Sequence, residues 1–259
     1  MPLFYKLLGF SLFYFGLLIS PANICSMELP FQPGEELVFR IKWSFIPAAT
    51  AVLKVLPPEL IDGKPAHHFS LTVKSRGIID VFYKVRSHID GWTDIALNRS
   101  LLYKKRQAEG RHRRHVVVTF DWPNNIVRYY DYIKSKARSA TLLPGALDPL
   151  SSVYYIRTLP IDSDSEIIYP VCDGKKCVIG RGWVIGRETI DIDGKRYDTW
   201  VLNPELKNLG GVFKKSKNAK IKLWVTAVHR RLPVKLTSKV FVGSFVGELV
   251  RHSGKRSNH

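Results

Sequence analysis

The feature that most limits what this chain can fold into is an alternation of apolar and polar residues with a period of two. Leu37, Phe39, Ile41 and Trp43 alternate with Val38, Arg40, Lys42 and Ser44, giving an extended segment one mostly apolar and one mostly polar face. The pattern returns at Phe69, Leu71 and Val73 against Ser70, Thr72 and Lys74, and at Ile221, Leu223 and Val225 against Lys220, Lys222 and Thr226. Asp62-Gly63, Asp90-Gly91, Glu109-Gly110, Asp173-Gly174 and Asp193-Gly194 fall between apolar segments and read as hairpin signals. Many short strands joined this way predict antiparallel meanders and a mainly β fold. One helix interrupts them: Asp148 suits the N-cap, Pro149 the first helical position, and Leu150, Val153, Tyr154 and Arg157 follow at helical spacing until Pro160. This helix is expected to plug or cover one face of the sheet.

The N-terminus carries a different pattern. Lys6 precedes an apolar run, Leu7 to Ile19, and the small-residue stretch Ser20-Pro21-Ala22 follows. That is the order of a secretory signal peptide, and the run falls short of the roughly 20 residues a membrane-spanning helix needs. Residues 1–22 are therefore read as a signal, cleaved between 22 and 26, with an uncleaved anchor as the rival reading. Ile24 before Cys25 is not the small residue of a lipoprotein signal. Residues 27–250 are expected to form a single β-rich domain and 251–259 a polar tail, frayed from Ser253. No later apolar stretch is long enough to span a bilayer, so a soluble or peripheral mature protein is expected.

Composition narrows the partner without naming it. The 259 residues hold 40 Lys+Arg against 22 Asp+Glu, a net charge of +18, which attracts nucleic acid, anionic lipid or acidic glycan. Lys104, Lys105, Arg106, Arg111, Arg113 and Arg114 straddle the Glu109-Gly110 turn and should concentrate around one exposed hairpin; Lys214, Lys215, Lys217 and Lys220 form a second cluster. Almost no aromatic residues interleave with these charges as base-stacking requires, so nucleic acid is set aside. An anionic envelope surface and a plain solvated basic face remain.

Few residues suggest chemistry. Cys172 and Cys177 flank Asp173-Gly174-Lys175-Lys176, close enough to form a disulfide across a tight hairpin in an oxidising compartment. No second pair stands at ligand spacing, so no metal is implied, and the spacing is too long for a redox-active C-x-x-C. His67-His68 and His112-x-x-His115 match no zinc pattern and are expected on the surface. Ser151 lies near Asp148 but lacks a glycine-flanked nucleophile elbow. Glu188 with Asp191 could do acid–base work, although a register that puts Glu188 opposite a lysine is the commoner outcome.

Several segments together resemble a family. Phe31-Gln32-Pro33-Gly34-Glu35-Glu36-Leu37 leading into Ile41-Lys42-Trp43 resembles the opening of the exported bacterial proteins grouped as domain of unknown function 3108. The run from Leu147 to Arg157 resembles that family's central helix, and Gly186-Arg187-Glu188-Thr189-Ile190 with Asp193-Gly194 its next hairpin. Leu223-Trp224-Val225-Thr226, then Arg230-Arg231-Leu232-Pro233-Val234, resemble its closing strands, with Ala227 where the motif more often has Asp. The resemblance spans about Phe31 to Leu249. It implies a periplasmic curved antiparallel sheet or incomplete β-barrel with one central helix, reminiscent of lipoprotein carriers, and no catalytic residue or cofactor. Two functions follow as expectations. One is a non-catalytic binder of an amphiphile or glycan, its cavity lined by Trp43, Trp200, Leu223 and Trp224 unless these are simply core, with the basic hairpin meeting an anionic headgroup or membrane. The other is an envelope hydrolase using Glu188 and Asp148. A pocket holding both carboxylates would favour the hydrolase; an apolar trough without converging acids would favour the binder. Oligomeric state is not specified.

Fused to a reporter active only outside the cytoplasm, residues 1–26 should drive activity, and intact mass should place the mature start between Asn23 and Met27. A mature chain beginning at Met1 would sink the signal reading.

Overall fold

The computed structural model describes residues 28–205, 219–240 and 243–254. The signal segment, Cys25, Lys214, Lys215 and Lys217 lie outside them. Among the described residues fourteen strands form one open antiparallel sheet. The first half is β1 (Glu36–Trp43), β2 (Ile46–Ile61), β3 (Lys64–Ser75), β4 (Val85–Asp94), β5 (Ser100–Glu109), β6 (His112–Asp121), β7 (Ile126–Asp131) and β8 (Lys136–Thr141). The second is β9 (Glu166–Cys172), β10 (Cys177–Ile192), β11 (Lys195–Pro204), β12 (Lys220–Thr226), β13 (Pro233–Val240) and β14 (Gly243–Ser253). Each half is a meander, and β1 pairs with β14 to join them, leaving β8 and β9 as the two edges. Because neighbours are antiparallel, successive turns fall at opposite ends of the sheet.

The helix between the halves spans Ser151–Thr158 (α2). Asp148 caps it as the sequence suggests, though from just outside: its Oδ1 accepts the Leu150 and Ser151 N–H groups at 2.9 and 3.0 Å. Its Oδ2 accepts the hydroxyls of Ser100 and Ser151 at 2.6 and 2.5 Å. Asp90-Gly91 is not a turn but lies within β4. A Cβ on Gly91 would stand 2.8 Å from the Asp148 carboxylate and 2.9 Å from Ser151 Oγ, so the glycine admits the capped helix end against the strand.

Farther along α2, Arg157 is the largest fully buried side chain among the described residues. It donates to Glu35 at 2.5 and 3.0 Å, to the Pro30 carbonyl at 2.8 Å and to the Arg230 carbonyl at 3.1 Å. The Phe31 and Tyr154 rings lie 5.4 and 5.6 Å from the guanidinium. These contacts join the segment entering β1, α2 and the turn before β13. Around Tyr154 the core gathers Phe31, Phe69, Tyr103, Val116, Val118 and Val127.

Three sequence expectations change. A second helix, α1 (Gly77–Phe82), carries the chain from β3 to β4; its run of apolar residues reads equally as strand. β14 continues through Ser253, where Glu36 pairs with Ser253 and Leu37 with His252, so the first residues of the polar tail are sheet. His68 is buried rather than exposed: its ring stacks on Trp92 at 4.2 Å, with Glu59 at 2.9 Å and Asp90 at 3.3 Å. His67 is half-buried against the Ile95 carbonyl, His115 stacks on Tyr132, and His112 is exposed.

Removing one partner of a buried ion pair strands the other charge. Glu35→Ala should destabilise the protein by about 3–5 kcal/mol in urea unfolding, whereas Glu35→Leu combined with Arg157→Met should recover most of that loss.

Candidate ligand-binding cavity

A cavity of about 730 Å³ lies between the two halves of the sheet. Register explains its walls. Tyr103, Lys105, Gln107 and Glu109 alternate onto one face of β5, opposite Val118, Val116, Arg114 and His112 on β6. Ile167, Tyr169 and Val171 share a face of β9, and Leu202 on β11 pairs with Leu223 on β12. Ile156 and Pro149 bring α2 to the lining. Val178 to Gly182 of β10, Pro204 at the end of β11 with Glu205 after it, and the hairpin joining β9 to β10, with Asp173, Lys175 and Lys176, complete the wall.

That hairpin is clamped twice. Cys172 and Cys177 pair directly across the two strands and form a disulfide, with Cα atoms 4.2 Å apart. Between them Gly174 has φ +86°, and a Cβ there would meet Val118 at 2.6 Å and Tyr129 at 3.2 Å. Only glycine fits this tip against β6 and β7. The Lys175 ammonium stands 5.1 Å above the Tyr129 ring. The tip thus reaches from the second half of the sheet to the first and closes the cavity on that side.

The cavity is electrically lopsided. Ile156, Ile167, Val171, Val178, Leu202 and Leu223 make one part apolar, while Lys105, Arg114 and Lys175 converge in another. Burial, then the charges of Arg114 and Lys175, push the Lys105 ammonium below the ordinary lysine value, and Asp173 and Glu109 oppose this only in part. Burial and Arg114 depress Lys175 in the same way. A smaller cavity of about 190 Å³ shares Arg114 and Lys175 and adds Lys134, Lys136 and Arg138 around Asp131. The Asp131 carboxylate already accepts the Tyr129 hydroxyl and the Ile133 and Lys134 N–H groups. Among the described residues no carboxylate forms an ion pair with Lys105, Arg114 or Lys175; Asp173, Glu109 and Asp131 offset their charge only in part, and the excess of cations suits an anion.

Of the sequence-selected ligand residues, Leu223 alone lines the main cavity. Trp224 is buried in the cluster around Leu37 and Val234, its indole N–H donating to Glu188. Trp200 packs beside Leu202 and Val225 beneath the Arg187 guanidinium. Trp43 is half-exposed at the end of β1. The basic run does not form one surface, because period two divides it. Lys105 and Arg114 face the cavity, Lys104 and Arg106 point to the opposite face, and Arg111 and Arg113 are exposed at the tip. Glu188 stands opposite Thr199 rather than a lysine, and Asp148 is fully buried under the helix, where burial raises its carboxyl against its four donors. Neither carboxylate lines the cavity. Sequence reasoning missed Tyr103, Tyr169, Val178 and Lys175; the one available signal was Lys175 within the cysteine hairpin.

Fold and cavity together define a β-barrel-like protein: an open antiparallel sheet around a partly apolar space. Residues 38–250 match the family described as Protein of unknown function (DUF3108), and the chain belongs to it. No curated protein matches. Among solved structures, the chain is similar to a β-barrel-like protein of domain of unknown function DUF1849 from Brucella abortus. That likeness has 8% identity and a TM-score of 0.53, covering 86% of this chain and 98% of the other. At that identity it shows the fold alone.

So short a disulfide loop constrains little chain, so replacing Cys172 and Cys177 with serine should lower stability by about 2 kcal/mol at most. Gly174→Val should instead lift the tip from Val118 and Tyr129, seen as faster hydrogen exchange across β9 and β10 with α2 unchanged.

Proposed function

We propose that this protein is a non-catalytic binder of an anionic amphiphile, exported to the periplasm. The observation that carries the reading is the division of the cavity, apolar beside α2, β9, β11 and β12 and cationic where Lys105, Arg114 and Lys175 meet. A hydrocarbon chain would leave water in the apolar part, at about 0.8 kcal/mol per methylene buried. Its anionic headgroup would relieve the repulsion among the three cations. An amphiphile suits this lining better than a glycan, because the apolar part offers aliphatic side chains rather than converging polar groups. The hydrolase reading gains no support from the placement of Asp148 and Glu188, which fall in separate surroundings outside the cavity. The half-cystine pair accords with an oxidising compartment.

Calorimetric titration of the mature protein with long-chain fatty acids of increasing length tests this. Affinity should rise about fourfold per added methylene until the apolar part is full. Leu223→Trp should abolish binding by occupying the space, and Lys105→Met should weaken it about tenfold to a hundredfold. The pH dependence has a definite sign. An anion favours protonated Lys105, so affinity is full below the depressed lysine value of the free protein and falls as pH rises through it. Lys105→Met should reduce that fall to the part that Lys175 contributes. Equal affinity across the chain-length series would overturn the reading.

A further inference from the structure

One end of the sheet presents an apolar cluster that the cavity reading does not use. Phe45, in the turn between β1 and β2, is 86% exposed; in α1, Ile78 is 60%, Val81 80% and Phe82 79% exposed, and none of the helix is buried. The two features lie together, since the Arg76 N–H donates to the Ala48 carbonyl and Gly77 approaches Pro47. Nor is the helix a frayed loop. Asp80 accepts the Ser75 hydroxyl and two bonds from Arg86 at 2.6 and 2.9 Å, while Ser75 Oγ accepts the Val85 N–H at 2.7 Å. These bonds tie α1 to its flanking strands through its one acid and hold the apolar side chains outward. A fixed cluster of this kind, unlike scattered apolar residues, marks an interaction surface.

The surrounding charge identifies the partner. Alternate turns share an end of the sheet, and this end carries Arg76 and Lys84 beside α1, Arg111 in the β5–β6 turn with Arg113 at the start of β6, and Lys134 in the β7–β8 turn with Lys136 at the start of β8. The tip between β5 and β6 abuts the helix directly, for the Gly110 N–H donates to the Lys84 carbonyl and the Tyr83 ring packs on Gly110. Carboxylates at the same end are already engaged: Asp80 by Arg86, Glu109 by Ser87 and Gln107, Asp131 by Tyr129 and backbone N–H groups. The opposite end holds Asp62, Asp162, Asp164 and Asp193 in its turns and Asp94, Asp121 and Asp191 at the adjoining strand ends, against Arg99, Arg230 and Arg231, so among the described residues positive charge is in excess only at the end that carries α1. A six-residue helix and one turn offer far less than the roughly 800 Å² per partner of a stable protein interface. Protruding Phe, Ile and Val tips ringed by cations instead suit an anionic bilayer, the tips entering the headgroup boundary and the cations staying at the phosphates.

We propose that this end docks on an anionic lipid bilayer, with Phe45, Ile78, Val81 and Phe82 inserted and Arg76, Lys84, Arg111 and Arg113 at the lipid phosphates. Glu109, His112, Arg114 and Lys175 line the cavity near this end, so docking brings its mouth to the membrane. The surface is distinct from the cavity, and its test is independent of cavity binding.

The test is flotation of the mature protein with phosphatidylglycerol/phosphatidylcholine vesicles and with phosphatidylcholine alone. Wild type should partition at least about tenfold more strongly onto the anionic vesicles, losing most of that advantage in 0.5 M salt, where the Debye length shrinks to about 4 Å. Ile78→Ser with Phe82→Ser, both exposed and so harmless to folding, should weaken partition about tenfold or more, as should Arg111→Glu with Arg113→Glu. A nitrobenzoxadiazole label at Phe82→Cys should shift to the blue on the anionic vesicles. Leu223→Trp should dock as wild type does, and Ile78→Ser with Phe82→Ser should keep wild-type affinity for the soluble fatty acid, which separates this proposal from the cavity reading. Anionic binding equal in wild type and the Ile78/Phe82 variant, no vesicle binding by folded protein, or a wild-type dimer that this variant converts to monomer would each overturn it.

Discussion

The buried pair of Arg157 and Glu35 is the contact on which the architecture turns. An antiparallel meander specifies neighbours along the sheet but leaves open how its two halves face each other. Arg157 supplies that information by holding Glu35, the Pro30 carbonyl and the Arg230 carbonyl from one guanidinium. The three segments are distant in sequence and belong to the start of the first half, the connection between halves and the second half. Taking both charges out of water is expensive, and the pair is offset only because nearly every donor on the guanidinium has an oxygen. The benefit is one fixed seating of α2, and through α2 one shape for the cavity whose lining includes Ile156 and Pro149.

This explains which parts of the protein could be read from its residues. The segments that carried the family resemblance are those that meet at this contact: Glu35 in the opening segment, Arg157 in the helix, Arg230 before the closing strand. Glu188 and Trp224, from two further segments, bond to each other. Such residues are recognisable because each has a partner that no other side chain would satisfy. Period-two patterning delivered the strands for a similar reason, since slipping by one residue would turn Leu37 and Phe39 to water.

The cavity was far less legible. Its residues are ordinary strand residues whose meaning depends on which face they share with strands remote in sequence. Lys105 and Arg114 looked like members of an exposed basic hairpin, yet alternation turns them inward beside Lys175, some sixty residues away in the chain. The tryptophans attracted notice by size, and size is why packing claimed Trp224 for the core. Asp90-Gly91 misled for the opposite reason. Glycine signals either a turn or a close approach, and only the position of Asp148 shows that here it is the second.

Charge follows the same logic of placement. A net +18 says that polyanions are attracted but not where. Topology supplies the location, because successive turns of a meander alternate between ends, and lysine and arginine concentrate in the set that includes α1 and the β5–β6 and β7–β8 turns. Along β5 and β6 the strand period then divides cations between the cavity and the outside. Two independent selections, by end and by face, thus act on one basic composition. Burial first, and then repulsion within the inward set, depress Lys105 and Lys175. The set at the end surrounds exposed apolar side chains. Neither arrangement stabilises the empty fold, since like charges brought together and apolar groups left in water both oppose it. The Arg157–Glu35 pair shows this fold matching buried charge with charge where structure alone is at stake, and that contrast ties the cations without an ion partner to what binds them.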